Sequence, residues 1–515
     1  MGRTRFATRN YLTFVFLTAM TLLAGFAATP LLLRWLGEER FGAFRAVSDW
    51  YGYFGLLELG VAGSLMPLLA RAIGSRDQQK VRGLLGAGIR LYLGIGSAML
   101  LAGFMLTIFI THLVPVRPQY AADLRLGCLI GLANLLWLPL ASPFRAATDA
   151  GQRSYWISLL LLVQSLLITT FCLWLAWKGY GITGQFMGIV AGGLVFNAAL
   201  TWDGLKRYPG VLGLALNRQY DRAANQELWK LNTPTYALNM CGRISLLTDN
   251  IVVAAMLGPV TVVPLILTQR LAMLVQAQLQ GIGNASWAGL AELHARGERN
   301  TFGRRVIELT NLTCILGVAG LVPIFVFNRQ FVSLWVGGTR YGGEIMTLFA
   351  VLDAFLQSVM SLWIWMFTGT GQVRRVVFPL MVQTLLNFAA SVLLTRQWGP
   401  VGPLVGTFIG FVAVTLWLLP LELRKTFDIS TPRLLEALTR PIALAIPYGL
   451  GLWFLARWHS PHGWIELGST MLAAAAAYIG VAWSVLLTND QRKLWRERIY
   501  LLNRPYLSAS GTAVA

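Results

Sequence analysis

The sequence predicts an all-α protein that crosses a membrane many times, and three observations lead there. Of 515 residues, 56% are hydrophobic and only 12% charged. Soluble domains carry about a quarter charged residues. Mean hydropathy is +0.59. The apolar stretches approach the ~20 residues needed to cross a bilayer, whereas buried strands run to about 4–8. The sequence also lacks the alternating ~10-residue strands of a membrane barrel.

The start, "MGRTRFATRNYLTFVFLTAM", is basic and then apolar, like a signal peptide. Its apolar run continues to Leu36, too far for one, and predicts a retained first helix. Further spans follow at roughly 42–70, 84–110, 124–147, 155–177, 183–203, 234–257, 260–290, 306–328, 345–368, 376–395, 402–421, 440–458 and 465–487, about fourteen in all.

The net charge of +20 does not point to nucleic acid, because the Lys and Arg residues are spread over many short loops. With fourteen spans, 30 of them fall on one side and 10 on the other. The positive-inside rule then places both termini in the cytoplasm. Cys128, Cys172, Cys241 and Cys314 all lie in apolar helices without metal-ligand spacing and read as small core residues. No metal or cofactor is expected.

The chain reads as duplicated. "TDAGQ" (148–152) is echoed by "TGTGQ" (368–372). Gly181, Gly184, Gly188 and Gly192 have counterparts in Gly399, Gly402, Gly406 and Gly410, so both runs read GxxGxxxGxxxG. Leu36-Gly37 recurs as Leu257-Gly258, Gly60 falls on Gly281, and Asp77 on Glu298. A unit of six helices returns the chain to its starting side. The copies should therefore be related by an axis along the membrane normal, with a site between them. The expected organisation is an N-terminal six-helix bundle (1–203), a cytoplasmic linker or interfacial helix (204–233), a second six-helix bundle (234–424), helices 13 and 14 (425–487) and a cytoplasmic tail (488–515).

"WLGEERFGAFRAVSDWYGYFGLLELGVAGSLMPLLARAIGSRD" (35–77) resembles the opening hairpin of bacterial polysaccharide flippases, the O-antigen (Wzx-type) translocases. Phe41-Gly42 and Leu57-Glu58-Leu59-Gly60 fill the slots of tyrosine-glycine and leucine-aspartate-leucine-glycine. The "TxxGQ" and glycine-ladder segments extend the resemblance over twelve helices. The wider superfamily includes multidrug antiporters and the lipid II flippase, which the extra helix pair suggests. The resemblance implies a bacterial inner-membrane flippase, acting as a monomer. It would move an undecaprenyl-diphosphate-linked oligosaccharide to the outer leaflet by alternating access, with a proton or sodium gradient as the candidate coupling.

Charges inside the spans are the candidate site, since bare charge there costs several kcal/mol or so. Arginine suits a diphosphate because its planar fork donates two bonds at once. Arg270, flanked by Gln269, Gln276 and Gln280, is the foremost cavity residue; its alternative role is a lock paired to Asp249 or Asp353. Arg45 and Asp49 are four residues apart and can pair on one helix face. Asp49 is also the repeat partner of Arg270, so the two should face each other across a cavity. Arg45 has a competing reading as a snorkelling residue near the outer end. Arg243 completes the substrate group, and Asp249 and Asp353 are candidate coupling carboxylates. Glu58, about half a turn round the helix from Asp49, is expected to stay outside the cavity and support the helix. Trp363 and Trp365 are candidates to stack on sugars. A multidrug antiporter would favour acidic cavity residues over this mixed set. An enzyme is disfavoured by the short outer loops and the lack of a P-loop or catalytic motif.

Overall fold

A computed structural model describes residues 2–58, 61–151, 153–216, 233–487, 492–493 and 496–497. Leu59, Gly60, Gln152, much of the expected 204–233 linker and nearly all of the 488–515 tail lie outside the described residues. All regular structure among the described residues is helical. Twelve helical stretches are long and apolar enough to cross a membrane, and the chain is a multi-pass membrane protein.

The helices are α1 (Gly2–Leu36), α2 (Glu38–Phe54), α3 (Val61–Gly74), α4 (Gln78–Leu113), α5 (Pro118–Gly131), α6 (Leu138–Ala150), α7 (Ser154–Trp177), α8 (Gly181–Arg207) and the short α9 (Val211–Leu216). After the gap come α10 (Thr233–Leu257), α11 (Val262–Ala295), α12 (Arg299–Val336), α13 (Glu344–Gly369), α14 (Arg374–Trp398), α15 (Gly402–Gly410), α16 (Leu416–Phe427), α17 (Thr431–Trp458) and α18 (Trp464–Val485).

Two features reconcile twelve stretches with fourteen expected spans. Arg374–Phe427 forms one helical stretch of 54 residues. Gly399, at φ +67°, folds it back on itself, so α14 packs beside α15. The second expected span, 42–70, is not one helix. α2 ends at Phe54, residues 55–58 form turns, and α3 begins at Val61, leaving pieces of 17 and 14 residues. Glycines at 52, 55 and 60, with the charged Glu58 among them, weaken helix continuity there.

The chain divides into two compact units. The first comprises 1–268, 335–349 and 371–418, and the second 269–334, 350–370 and 419–515. In the first unit the glycine ladders have a direct packing explanation. On α8, a Cβ at Gly188 would meet Cys172 Sγ at 2.7 Å, and one at Gly192 would meet Ile168 at 2.5 Å, so α8 lies tight against α7. On α15, a Cβ at Gly402 would meet the Thr395 nitrogen at 2.3 Å, and one at Gly406 the Ser391 nitrogen at 2.6 Å. The same ladder thus closes the same kind of helical hairpin twice. Each hairpin also holds a buried polar clasp. Gln185 Nε2 donates to the Cys172 carbonyl at 3.0 Å. Asn387 Oδ1 accepts from Ser391 and Thr407 at 2.9 and 3.1 Å. A core of Leu65, Leu69, Leu84, Leu85, Phe144 and Leu200 ties α3, α4, α6 and α8 together.

In the second unit α11 packs on α12 and α13 through small residues. Gly320 faces Val275, and Gly317 sits against Phe355 and Leu279. At one end Phe302, Phe367 and Phe427 cluster, with His294 against Phe302 and Phe427. All four cysteines are buried and free.

Candidate functional site

The first unit gathers charge where α2 ends against α10. Asn250 Nδ2 donates to Asp49 Oδ2 at 2.7 Å, linking the two helices through a half-buried pair. One turn on, the Tyr53 hydroxyl bonds Thr248 Oγ1 at 2.6 Å. Arg243 Nη1 then donates to the Gly52 carbonyl at 3.1 Å. The last turn of a helix leaves carbonyls without intrahelical donors and carries partial negative charge. Arg243 therefore supplies both a donor and a compensating cation where α2 stops. The fit is close: a Cβ on Gly55 would stand 2.0 Å from Arg243 Nη1.

Four further ionisable groups complete the cluster. Asp249 lies within electrostatic reach of Asp49, and its Oδ1 is buried with no hydrogen-bond partner among the described residues. Arg45 lies within reach of Asp49, and its Nε is likewise buried and unpartnered. Asp49's hydrogen bond comes from Asn250, not from Arg45. Glu58 lies within reach of Arg243 and of Arg145 on α6. Three carboxylates and three guanidiniums thus share one polar region among apolar helices. Buried, partly unsatisfied polar atoms in such a setting are costly. They are also poised to accept a polar ligand or a cation. Among the described residues, no group of three His, Cys, Asp or Glu side chains forms a metal-binding set.

Of the residues expected from sequence, Arg45, Asp49, Arg243 and Asp249 come together in this unit. Arg270 and Asp353 belong to the second unit. Arg270, on α11, is half-buried, and Asp353, on α13, is only 7% exposed. Both have interactions of their own. Further along α11, Gln280 Nε2 bonds Ser361 Oγ at 3.3 Å.

Several site residues were not anticipated. Glu58, expected from the helical wheel to stay outside the cavity, lies beyond the end of α2, which stops at Phe54, so the wheel does not apply to it. Asn250, Tyr53 and Thr248 were passed over as ordinary polar residues; an Asp-Asn pair inside an apolar span was the available signal. The tryptophan idea divides. Trp363 is fully buried and donates to Thr310 Oγ1 at 3.0 Å, so it has no face for a sugar. Trp365 stacks on Trp287, with centroids 6.3 Å apart and planes 22° apart.

The chain has the fold of MurJ and of MATE transporters. The structure of the lipid II flippase MurJ in an inward closed conformation matches with TM-score 0.70 at 12% identity, over 95% of this chain and 100% of that one. An inward-facing multidrug resistance MATE family transporter of the MOP superfamily matches with TM-score 0.63 at 14% identity, over 79% and 96%. An outward-facing MATE structure gives 0.58 at 13%, over 80% and 94%. No protein-family model and no curated protein matches the sequence.

Proposed function

We propose that the protein is a flippase that carries an undecaprenyl-diphosphate-linked oligosaccharide from the cytoplasmic to the outer leaflet, by alternating access between two six-helix bundles. The observation that carries this reading is the charged cluster on α2 and α10. A cargo with a diphosphate and a polar glycan needs cations inside the membrane to lower its crossing barrier. Arg45, Arg243 and Arg270 are the proposed diphosphate ligands, and Asp49 is a proposed cavity residue. Asp249 and Asp353 are proposed to take up the proton or sodium ion of coupling. An O-antigen-type glycan is the proposed cargo, in the bacterial inner membrane, with both termini cytoplasmic.

Lipid II is a second cargo, favoured by one observation: the similarity to MurJ extends over nearly the whole chain, whereas the MATE structures align with about four fifths of it. The test is disruption of the gene followed by assay of lipid-linked glycans left on the cytoplasmic side. A surface-polysaccharide intermediate should accumulate, and wild type should clear it better than Arg270→Ala. Accumulation of lipid II instead would favour the second cargo. Altered drug resistance with no glycan defect would refute both.

A further inference from the structure

The second unit holds a cavity of about 680 Å³ that the translocation reading does not use. Three spans contribute to it at one shared end. They are the start of α12, the connection from α16 into α17, and Leu486 just past α18. Its volume lies in the range of about 300–1,000 Å³ typical of small-ligand sites.

Four arginines line it: Arg299, Arg304, Arg433 and Arg440. Its carboxylates are mostly engaged. Glu436 pairs with Arg440, and Glu308 pairs at 2.7 Å with Arg305, which lies outside the lining. Arg299, Arg304 and Arg433 form no ion pair among the described residues, and of the three carboxylates in the lining only Asp428 is outside an ion pair with another arginine. Arginines in excess of carboxylates round a concavity attract an anion. Arginine's planar fork matches a phosphate in particular.

The position says where that phosphate comes from. The cavity opens where apolar spans end, at the level of lipid headgroups. Beyond Arg440, α17 continues with Ile442, Ile446 and Leu450, which are 38%, 63% and 55% exposed. At four-residue steps these three share a helix face, turned well round α17 from the one that lines the cavity, so the span presents apolar surface to lipid directly beyond the arginines. Basic pockets between helices at a membrane surface are suited to anionic lipid headgroups.

We infer that this cavity is a binding site for the phosphate of a membrane lipid whose headgroup carries net negative charge, seated between Arg299, Arg304 and Arg433. The site is distinct from the charged cluster on α2 and α10 and does not depend on which cargo is moved.

The test uses delipidated, full-length protein in detergent, titrated separately with short-chain phosphatidylglycerol, a short-chain polyprenyl diphosphate, inorganic pyrophosphate and short-chain phosphatidylcholine. Binding is read by native mass spectrometry. At least one of the two lipid-borne phosphates should bind more than tenfold tighter than phosphatidylcholine, and which of them binds names the source. Each basic residue at a membrane surface is worth roughly fivefold in affinity, so the triple variant Arg299→Gln/Arg304→Gln/Arg433→Gln should bind about a hundredfold more weakly. Rising salt should weaken the wild type and leave that variant nearly unchanged. A triple Arg→Lys variant keeps the charge and should stay within several-fold of wild type; it carries the test if the Gln variant does not fold. Equal binding of phosphatidylcholine, equal binding of free pyrophosphate, or a Gln variant with wild-type affinity would each overturn the proposal.

Discussion

Asn250→Ala tests the geometry at the end of α2. The Asn250 side chain makes a 2.7 Å bond to Asp49, on a helix 201 residues away in sequence. Interhelical hydrogen bonds between neutral groups in membranes average about 0.6 kcal/mol and reach about 1.7. A bond to an ionised acceptor is roughly twice as strong. Removing the amide should therefore cost about 1–3 kcal/mol, because the half-buried carboxylate loses a donor that water replaces poorly. The assay is a double-mutant cycle of Asp49→Ala and Asn250→Ala, read by unfolding of the purified protein in a bilayer or detergent. The double variant should lose less than the sum of the single losses, by about 1 kcal/mol or more. A coupling under ~0.5 kcal/mol is the scatter of independent sites and would refute the contact. The swapped double variant, Asp49→Asn with Asn250→Asp, keeps one carboxylate and one amide. It should recover most of the stability that Asn250→Asp alone, which adds a third carboxylate beside Asp49 and Asp249, gives up.

Four glycine-to-alanine substitutions test the packing and the backbone. Gly55→Ala drives a methyl to within 2.0 Å of the Arg243 guanidinium; it should detach Arg243 from the Gly52 carbonyl, and adding it to Arg243→Ala should cost almost nothing, which a thermal melt of the three variants checks. Gly42→Ala puts a Cβ 1.8 Å from the Pro259 carbonyl oxygen, which is backbone and cannot turn aside; it should destabilise by about 1–3 kcal/mol, whereas Gly281→Ala, inside α11 with nothing within 4 Å, should raise the melt slightly, by about 0.5–1 kcal/mol of helix propensity. Gly258→Ala, at φ +88° in open space, isolates backbone strain and should cost about 1 kcal/mol in the same measurement.

The helical, many-span architecture was legible because it rests on composition and on the length of apolar runs, which a bilayer enforces residue by residue. The repeat was legible for a similar reason: glycine at a close helix contact cannot be exchanged freely, so Gly188 and Gly406 keep their places while their neighbours drift. The interruption after Phe54 was not legible. An apolar run with scattered charge reads as a continuous helix, and only the third dimension brings Arg243 to the Gly52 carbonyl at the break. The error then propagated to Glu58, whose expected direction assumed a helix that had already ended. Asn250 was missed because an uncharged amide gives no signal of expense in a hydropathy reading. Trp363 misled for the opposite reason: indole rings look alike in sequence whether they face a cavity or fill a core.

The glycine corners sharpen what was duplicated. Gly37 joins α1 to α2 at φ +77°, and Gly258 ends α10 ahead of α11 at φ +88°. They are the two glycines of the repeated Leu-Gly step. Gly181 begins α8 at φ +58°, and Gly399 stands between α14 and α15 at φ +67°. They head the two ladders. A left-handed backbone strongly favours glycine, so all four positions resist substitution for a conformational reason alone. Gly151 and Gly371, the glycines of the "TxxGQ" pair, differ: the first sits at φ −78° and the second at φ +74°. Matched letters there do not mean matched geometry. What the two copies share most securely is therefore the set of sharp corners and tight hairpins, which fix where helices start and how closely they pack. The charges inside the spans are not part of that shared frame, although Asp77 and Glu298, just ahead of α4 and α12, keep their sign. Asp49 in the first copy corresponds to Arg270 in the second, a change of sign at one repeat position. That inversion fits duplication of a scaffold first and divergence of its polar groups afterwards.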